Sequence, residues 1–155
     1  MRSARLKLLP ALGLASALAA LALAPGAFAK GVRYEGFTSQ DQAMNMRTSE
    51  RGAATRAFLF WRAKCKERAG FRNSTTFRRP LDRTSRAGFH DKRVDFVKDG
   101  KLSARYRATI DGKRKTRRKF EGTFDMKVRF FRKGEEYETC TVRDVTWVAK
   151  IPQSD

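Results

Sequence analysis

The sequence between residues 102 and 130 reads LSARYRATIDGKRKTRRKFEGTFDMKVRF and contains two alternating runs. In the first run, the even positions from Leu102 to Ile110 are apolar and polar residues stand between them. In the second run, the even positions from Phe120 to Phe130 are apolar or Gly, and the odd positions are polar or charged. A period of two is typical of a strand with one buried face, whereas a helix needs a period near 3.6. The stretch therefore predicts two antiparallel strands.

The segment between the two strands, which we call the basic run, has six cationic side chains in seven positions: Lys113, Arg114, Lys115, Arg117, Arg118 and Lys119. A two-residue turn at Asp111-Gly112 would place Lys113 opposite Ile110 on the buried face, where an unpaired charge is too costly. Pairing Ile110 with Phe120 instead makes every inward pair apolar and leaves residues 111–119 as a projecting loop. A two-stranded arm that extends past the core is the alternative, and it also keeps the cations in water.

A third strand is predicted upstream of these two. A three-residue loop, Lys98-Asp99-Gly100 with Gly100 in the left-handed conformation, pairs Phe96 with Leu102 and turns Phe96 and Val94 toward the core. Further along the chain, Tyr137 and Cys140 have opposite parity. We therefore expect a bulge after Gly134 and leave the register of that strand open. The predicted meander covers residues 93–97, 101–110 and 120–131.

Residues 53–65 are compatible with two structures. Their Ala, Arg and Leu content favours a helix that Gly70 could cap. The apolar alternation from Ala57 to Cys65 favours a strand, and we predict a strand. Residues 66–92 are predicted to form long loops around a weak strand near Thr76. Many short strands without alternating helices predict one all-β domain, an antiparallel β-sandwich.

The first 29 residues have the pattern of a signal peptide, with a basic start, an apolar run and Ala27-Phe28-Ala29 at the expected cleavage site. The predicted mature domain is residues 30–155. The formal charge of the full chain is +19, and cleavage would remove three cations and no acidic residue. In an exported chain, two cysteines are most simply a disulfide, here Cys65–Cys140, although a buried free pair is the alternative.

Short motifs in a fixed order resemble a largely uncharacterised family of small exported bacterial proteins. The order is Tyr-x-Gly-x-Thr-Ser-Gln from Tyr34, a Cys that ends an aromatic strand, Asp-Gly at Asp99, Gly-x-Phe at Gly122, a second Cys and Val-x-Trp-x-Ala from Val145. The resemblance implies a secreted, jelly-roll-like β-sandwich with one disulfide, and it provides no catalytic residues to transfer. Leu102 departs from the pattern, which usually has an aromatic residue there.

Candidate catalytic groups are few. His90 is the single histidine and stands beside Asp91, where it could be a general base or half of a metal site. Catalysis needs a partner positioned with it, so we interpret His90 as a solvated loop residue. Glu136 and Glu138 are spaced as two acids on one strand face, and a weak envelope glycoside hydrolase that uses them is the alternative function. The sequence predicts no cofactor and no metal site, because neither a phosphate-binding glycine loop nor a metal-ligand motif is present. We therefore predict a protein without catalytic activity.

A second set of cations occupies outward positions of the two strands: Arg105, Arg107, Lys127 and Arg129. In the register that we predict, Arg105 faces Asp125, so part of the charge is compensated. With the basic run, this set predicts a positive surface for an anionic partner, namely a wall polymer, a polysaccharide, nucleic acid or an anionic lipid surface. Aromatic side chains are mostly assigned to the core, with Phe131 as an exception, so base-specific recognition is not expected. A solvated basic surface without a ligand is the alternative, and no specific protein partner is identifiable. The predicted location is extracellular, in association with the cell wall.

Overall fold

The computed structural model describes residues 31–78, 81–85 and 87–153. The predicted signal peptide, residues 1–29, lies outside these ranges. Within them, no helix is long and apolar enough to cross a membrane. The described chain forms strands β1 (Arg33–Thr38), β2 (Ala43–Thr48), β3 (Ala54–Cys65), β4 (Phe71–Arg78), β5 (Asp82–Arg83), β6 (Gly88–Asp99), β7 (Leu102–Thr116), β8 (Lys119–Arg132) and β9 (Glu135–Lys150).

All nine strands belong to one antiparallel sheet in the order β4-β3-β2-β1-β9-β8-β7-β6-β5. Neighbours in the sheet are consecutive in the chain, except that β9 pairs with β1 and, over two residues, with β3. The predicted all-β antiparallel class is thereby confirmed. The pairing places every strand in one sheet, and a division into the two sheets of a sandwich is not part of it.

The sheet curls so that its two halves pack their inner faces together. Phe77 of β4 meets Phe124 of β8 with ring centroids 6.4 Å apart, although these strands are far apart in the sheet order. Trp61 and Phe71 pack edge to face at 5.5 Å beside Phe130 of β8. The outer faces of β1–β4 and of β6–β8 therefore point away from each other.

Two cross-connections fix this curled arrangement. Cys65 and Cys140 are direct cross-strand partners in β3 and β9 and form the predicted disulfide. On the other side, the guanidinium of Arg93 in β6 donates a hydrogen bond to the carbonyl of Thr76 in β4. The strand prediction for residues 53–65 is confirmed, because Ala57, Leu59, Trp61 and Ala63 are all buried on one side of β3.

The β7–β8 hairpin keeps the predicted inner face but has a different register. Ile110 pairs with Phe124 rather than with Phe120, and Phe120 pairs with Arg114. The strands continue to Thr116 and resume at Lys119, so the nine-residue loop is wrong and the alternative two-stranded arm is correct. Both registers turn the even-numbered residues to the inner face, and alternation alone does not distinguish registers that differ by two full repeats. Leu102, at the end of β7, was also expected in the core and is 44% exposed.

The β6–β7 hairpin also differs from the prediction. Gly100 does adopt a left-handed conformation, with φ +57°, but the turn is one residue shorter and Asp99 pairs with Leu102. Val94 and Phe96 therefore lie outside, 53% and 63% exposed, and their predicted core position is wrong. The long loops predicted for residues 66–92 are also wrong, since β4, β5 and the start of β6 occupy much of that segment.

Candidate polyanion-binding surface

The outer side of β7 and β8 has two cross-strand pairs of like charge. Arg105 lies directly opposite Arg129, and Arg107 lies directly opposite Lys127. Like charges at directly opposed positions repel each other and destabilise a sheet. We call these four residues the basic face. The structure thus brings together the four outward cations that the sequence predicted, but it aligns them with one another instead of with acids.

Few acidic groups compensate the basic face. The Nε of Arg129 donates to Glu136 at 2.6 Å, and this bond, with another from Thr139, lowers the pKa of the Glu136 carboxyl. Among the described residues, the other three cations of the basic face have no ion-pair partner. The predicted pairing of Arg105 with Asp125 is wrong because of the register shift, and Asp125 instead accepts a hydrogen bond from the backbone N–H of Asp144 at 2.9 Å.

Apolar side chains border the basic face on the β6 side. Phe96 pairs with Arg105 and Val94 pairs with Arg107, so each exposed apolar group lies beside a cation. On the β8 side, the guanidinium carbon of Arg129 lies 5.3 Å from the ring centroid of Phe131. Phe96 was assigned to the core, and it lies outside because the β6–β7 turn is shorter than predicted.

A shallow groove continues the basic face toward β9. It has a volume of about 470 Å³ and includes Arg107, Lys127 and Arg143 in its lining. β9 has one extra residue here, between the Phe124–Val145 and Met126–Val142 pairs, and Asp144 adopts a positive φ of 54° at this bulge. The bulge exposes the Arg143 side chain on the same side as the basic face, which extends the cationic area beyond β8.

The basic run is attached to the body of the protein and does not project freely. The Tyr34 hydroxyl donates to the carbonyl of Arg117 at 3.1 Å, and the N–H of Ile151 donates to the carbonyl of Arg118 at 3.0 Å. Lys113, Lys115, Arg117 and Arg118 are exposed. These exposed cations are therefore held on an ordered hairpin end, which reduces the entropy lost when they bind a ligand.

Arg114 is the exception to the prediction that the basic run lies in solvent. It occupies an inward position, half-buried, with its guanidinium carbon 5.0 Å from the Phe120 ring centroid. Its Nη2 donates to the carbonyl of Gly52, and its buried Nε has no hydrogen-bond partner among the described residues. Arg114 thus holds the hairpin against the β2–β3 turn, and it is not part of the candidate polyanion-binding surface.

Glu121 compensates part of the basic run. Lys115 pairs with its carboxylate at 2.8 Å and Lys119 pairs with it at 3.2 Å. These contacts, with the hydrogen bond from Lys115 as the largest cause, lower the pKa of the Glu121 carboxyl. A groove of about 600 Å³ lies along this side of the hairpin and includes Lys113 and Lys115 in its lining. Lys113, the cross-strand partner of Glu121, has no ion-pair partner within 4.0 Å among the described residues.

The two glutamates of the hydrolase alternative point in different directions. The predicted irregularity after Gly134 is present between Phe130 and Phe131, so the two-residue spacing of Glu136 and Glu138 no longer places both on one face. Glu136 is exposed beside Arg129, whereas Glu138 is 4% exposed. The Glu138 carboxylate accepts hydrogen bonds from the backbone N–H groups of Lys66, Glu67 and Thr139 at 3.1, 3.0 and 2.7 Å. Two acids arranged in this way do not flank one glycosidic bond.

Glu138 has a structural role that predicts an acid-sensitive fold. Burial opposes ionisation of its carboxyl, but the backbone N–H groups of Glu67, Thr139 and Lys66 outweigh burial and lower its pKa. A lowered folded-state pKa gives stability that is complete above the ordinary value of 4.5 and is lost as the pH falls through the folded value.

We expect Glu138→Gln to lower the midpoint of urea unfolding near neutral pH, because the amide keeps a single acceptor oxygen and no charge. The difference from the wild type should shrink as the pH falls below 4.5, where the wild-type carboxyl also loses its charge. Urea titrations at several pH values measure this difference. A difference that stays constant from neutral to acidic pH would show that the charge of the Glu138 carboxylate does not stabilise the fold.

His90 lies in strand β6 and not in a loop as predicted. Its Nδ1 is 2.7 Å from an Asp111 carboxylate oxygen across the β6–β7 pair, and its side chain is 32% exposed. Within the described ranges, no group of three or more His, Cys, Asp or Glu residues could hold a metal ion. His90 thus contacts Asp111 across the β6–β7 pair, and Asp82 of β5 is its cross-strand partner on the other side.

No protein-family model matches the chain. The search of the curated proteins and the search of the solved structures give no significant match either. The resemblance to the family of small exported proteins therefore stays a prediction, and the function is argued from the surface alone.

Proposed function

We propose that this protein is a secreted, non-catalytic binding protein that holds anionic cell-envelope polymers or anionic lipid surfaces on its basic face and the exposed part of its basic run. The observation that carries the proposal is the alignment of Arg105 with Arg129 and of Arg107 with Lys127, with an acidic partner at Arg129 alone among the described residues. An anionic ligand would relieve the repulsion within both pairs.

The chemistry of the face favours a polyanion over a small anion. Neighbouring strands of a sheet lie about 4.8 Å apart and alternate residues along a strand about 7 Å apart, so the four cations define a small grid of positive charge. A chain with regularly repeated negative groups can contact several grid points at once. Arg supplies bidentate hydrogen bonds to phosphate or carboxylate, and Lys adds a point charge.

Attachment to a polymer outside the cell agrees with other features of the chain. A disulfide between Cys65 and Cys140 is typical of proteins in oxidising compartments. Without the predicted signal peptide the formal charge is +16 (19 − 3), and this charge gives a field that attracts polyanions from a distance and is screened by salt. Binding through the basic face should therefore weaken steeply as the ionic strength rises.

The test compares two triple variants of the chain from residue 30 that remove equal charge. One variant has Arg105→Ser, Arg107→Ser and Lys127→Ser in the basic face, and the control has Lys66→Ser, Arg83→Ser and Lys133→Ser at scattered exposed positions. The measurements are the salt concentration that elutes each protein from immobilised heparin and its affinity for inorganic polyphosphate. Circular dichroism establishes that both variants are folded.

We expect the basic-face variant to elute at clearly lower salt than the control. Each phosphate contact that is lost should also reduce the slope of log affinity against log salt by about 0.7 to 0.9, the value known for nucleic acids. Equal elution and equal slopes for the two variants would mean that the basic face binds no polyanion, and that total charge alone determines retention.

A further inference from the structure

A second cationic surface lies on the other half of the sheet and is built from arginines alone. Across β1–β4, Arg33 pairs with Arg47, Arg47 pairs with Arg56, and Arg56 pairs with Arg78. All four side chains are exposed on the outer face. We call them the arginine row. With neighbouring strands about 4.8 Å apart, the row extends over about 14 Å.

The arginine row is poorly compensated within the protein. The Nε of Arg33 pairs with Glu35 at 2.7 Å, and among the described residues the other three arginines have no ion-pair partner. Three successive like-charge pairs at directly opposed positions cost stability. The guanidinium fork of each arginine can form two parallel hydrogen bonds to a phosphate group. A row of phosphates is therefore the complement of this arrangement.

Aromatic rings lie next to the arginine row on the same outer face. Phe58 and Phe60 of β3 pack edge to face with their ring centroids 4.9 Å apart, and Phe60 is 43% exposed. Asn45 is the cross-strand partner of Phe58. A small groove of about 200 Å³ is lined by Arg33, Asn45, Met46, Arg47, Arg56 and Phe58. Cations, a partly exposed aromatic pair and an amide side chain are thus brought together on the outer face of β1–β4.

We propose that the outer face of β1–β4 binds single-stranded nucleic acid, with backbone phosphates on the arginine row and unpaired bases against Phe60 and Phe58. Stacking of bases on aromatic side chains beside a cationic track is how proteins bind single strands without sequence preference. An anionic polysaccharide or lipid headgroup offers charge but no π-face for the rings. The Asn45 amide can donate to and accept from base edges in the small groove.

The position of this surface gives it a distinct consequence. The outer face of β1–β4 points away from the outer face of β6–β8, because Phe77 and Phe124 join the two halves through their inner faces. Binding at the arginine row does not require the basic face. A molecule with both surfaces occupied would link a nucleic-acid strand to a second polyanion.

The test isolates the arginine row by working in the protein that already has Arg105→Ser, Arg107→Ser and Lys127→Ser. Fluorescence anisotropy measures its binding to an oligo-dT of about 12 nucleotides, a length within the site sizes of single-strand binders, and to an abasic phosphodiester oligomer of equal length. Three derivatives are compared: Arg47→Ser/Arg56→Ser, Phe60→Ala, and the control Lys66→Ser/Lys133→Ser. All of the substituted side chains are exposed, so that the fold is expected to persist.

We expect oligo-dT to bind more tightly than the abasic oligomer. Arg47→Ser/Arg56→Ser should weaken both and lower the salt slope by about 1.4, or 0.7 for each lost contact. Phe60→Ala should weaken oligo-dT by about fivefold or more and leave the abasic oligomer unchanged. Equal affinity for the two oligomers would overturn the assignment to nucleic acid and favour an anionic polymer or lipid without bases. No difference between Arg47→Ser/Arg56→Ser and the control would overturn the site itself.

Discussion

Replacing both cysteines, as Cys65→Ser/Cys140→Ser, is expected to lower the free energy of unfolding by about 4.5 kcal/mol in the chain-entropy treatment of a loop this long. The two residues are 75 positions apart in the chain, and the bond between them restricts the unfolded state over more than half of the described residues. It also joins β3 to β9 where these strands pair for only two residues, Lys64–Thr141 and Cys65–Cys140. Without the bond, few backbone contacts hold this part of the sheet closed.

Urea or guanidinium unfolding followed by tryptophan fluorescence measures this effect, with the wild type in the presence and absence of reductant as the reference. Reduced wild type and the double variant should unfold at the same low denaturant concentration, and oxidised wild type at a much higher one. A double variant that unfolds at the same concentration as the oxidised wild type would show that the sheet closes without the disulfide.

Trp147→Ala is expected to destabilise the fold by about 3 to 5 kcal/mol, the range for removing a large buried aromatic side chain. Trp147 is 1% exposed, stacks on Phe89 with centroids 6.1 Å apart, and donates from Nε1 to the carbonyl of Thr123 at 3.1 Å. It fills the space under Gly112 and Gly122, where a Cβ would lie within 2.8 Å of the indole. The large indole therefore fits the space that the two glycines leave. Because Gly112 and Gly122 have no side chains, they cannot fill the cavity that Trp147→Ala would create.

Denaturant unfolding of Trp147→Ala, Trp147→Phe and the wild type tests this expectation. The Phe variant keeps most of the buried apolar surface and should lose clearly less stability than the Ala variant, although it loses the hydrogen bond to Thr123. Equal midpoints for Trp147→Ala and the wild type would contradict the packing described around the two glycines. In either variant, cations on the outer side of the sheet should bind polyanions as before while the protein is folded.

For β7 and β8 the sequence predicted most of the inward residues but not which residues face each other, and on β6 it placed Val94 and Phe96 on the wrong face. Alternation in 102–130 placed Ile110 and Phe124 in the core, and both are buried. The partner of Ile110 was wrong by two full repeats because every even position from Phe120 to Phe130 is apolar or Gly, and each such register buries the same set. Only the length of the turn distinguishes these registers. The turn lies at Arg117-Arg118, inside the basic run, where the sequence has no turn motif.

Both candidate surfaces depend on the register of the strands. For this reason the sequence predicted the basic face only in part and did not predict the arginine row. Arg105, Arg107, Lys127 and Arg129 were recognised as outward, but their alignment into two like-charge pairs follows from the observed register. The arginine row comes from four separate strands, and two of them, β3 and β4, lie in segments whose sequence patterns were ambiguous or weak. A signal was present, since each of those arginines lies beside a buried position, as Arg47 does beside Met46 and Thr48.

The central claim, that polyanions bind to the basic face, is tested most directly by measuring where on the protein a polyanion binds. The protein is the ¹⁵N-labelled chain from residue 30, in which Arg47→Ser/Arg56→Ser removes the arginine row. It is titrated with short inorganic polyphosphate, and the chemical shifts of its amide and arginine side-chain groups are measured at each step. We predict that the largest shift changes occur at residues 105–107 and 127–129 and that they diminish as salt is added. Shift changes confined to other parts of the sheet, or no shift changes at polyphosphate concentrations at which the protein binds, would contradict the assignment of binding to the basic face.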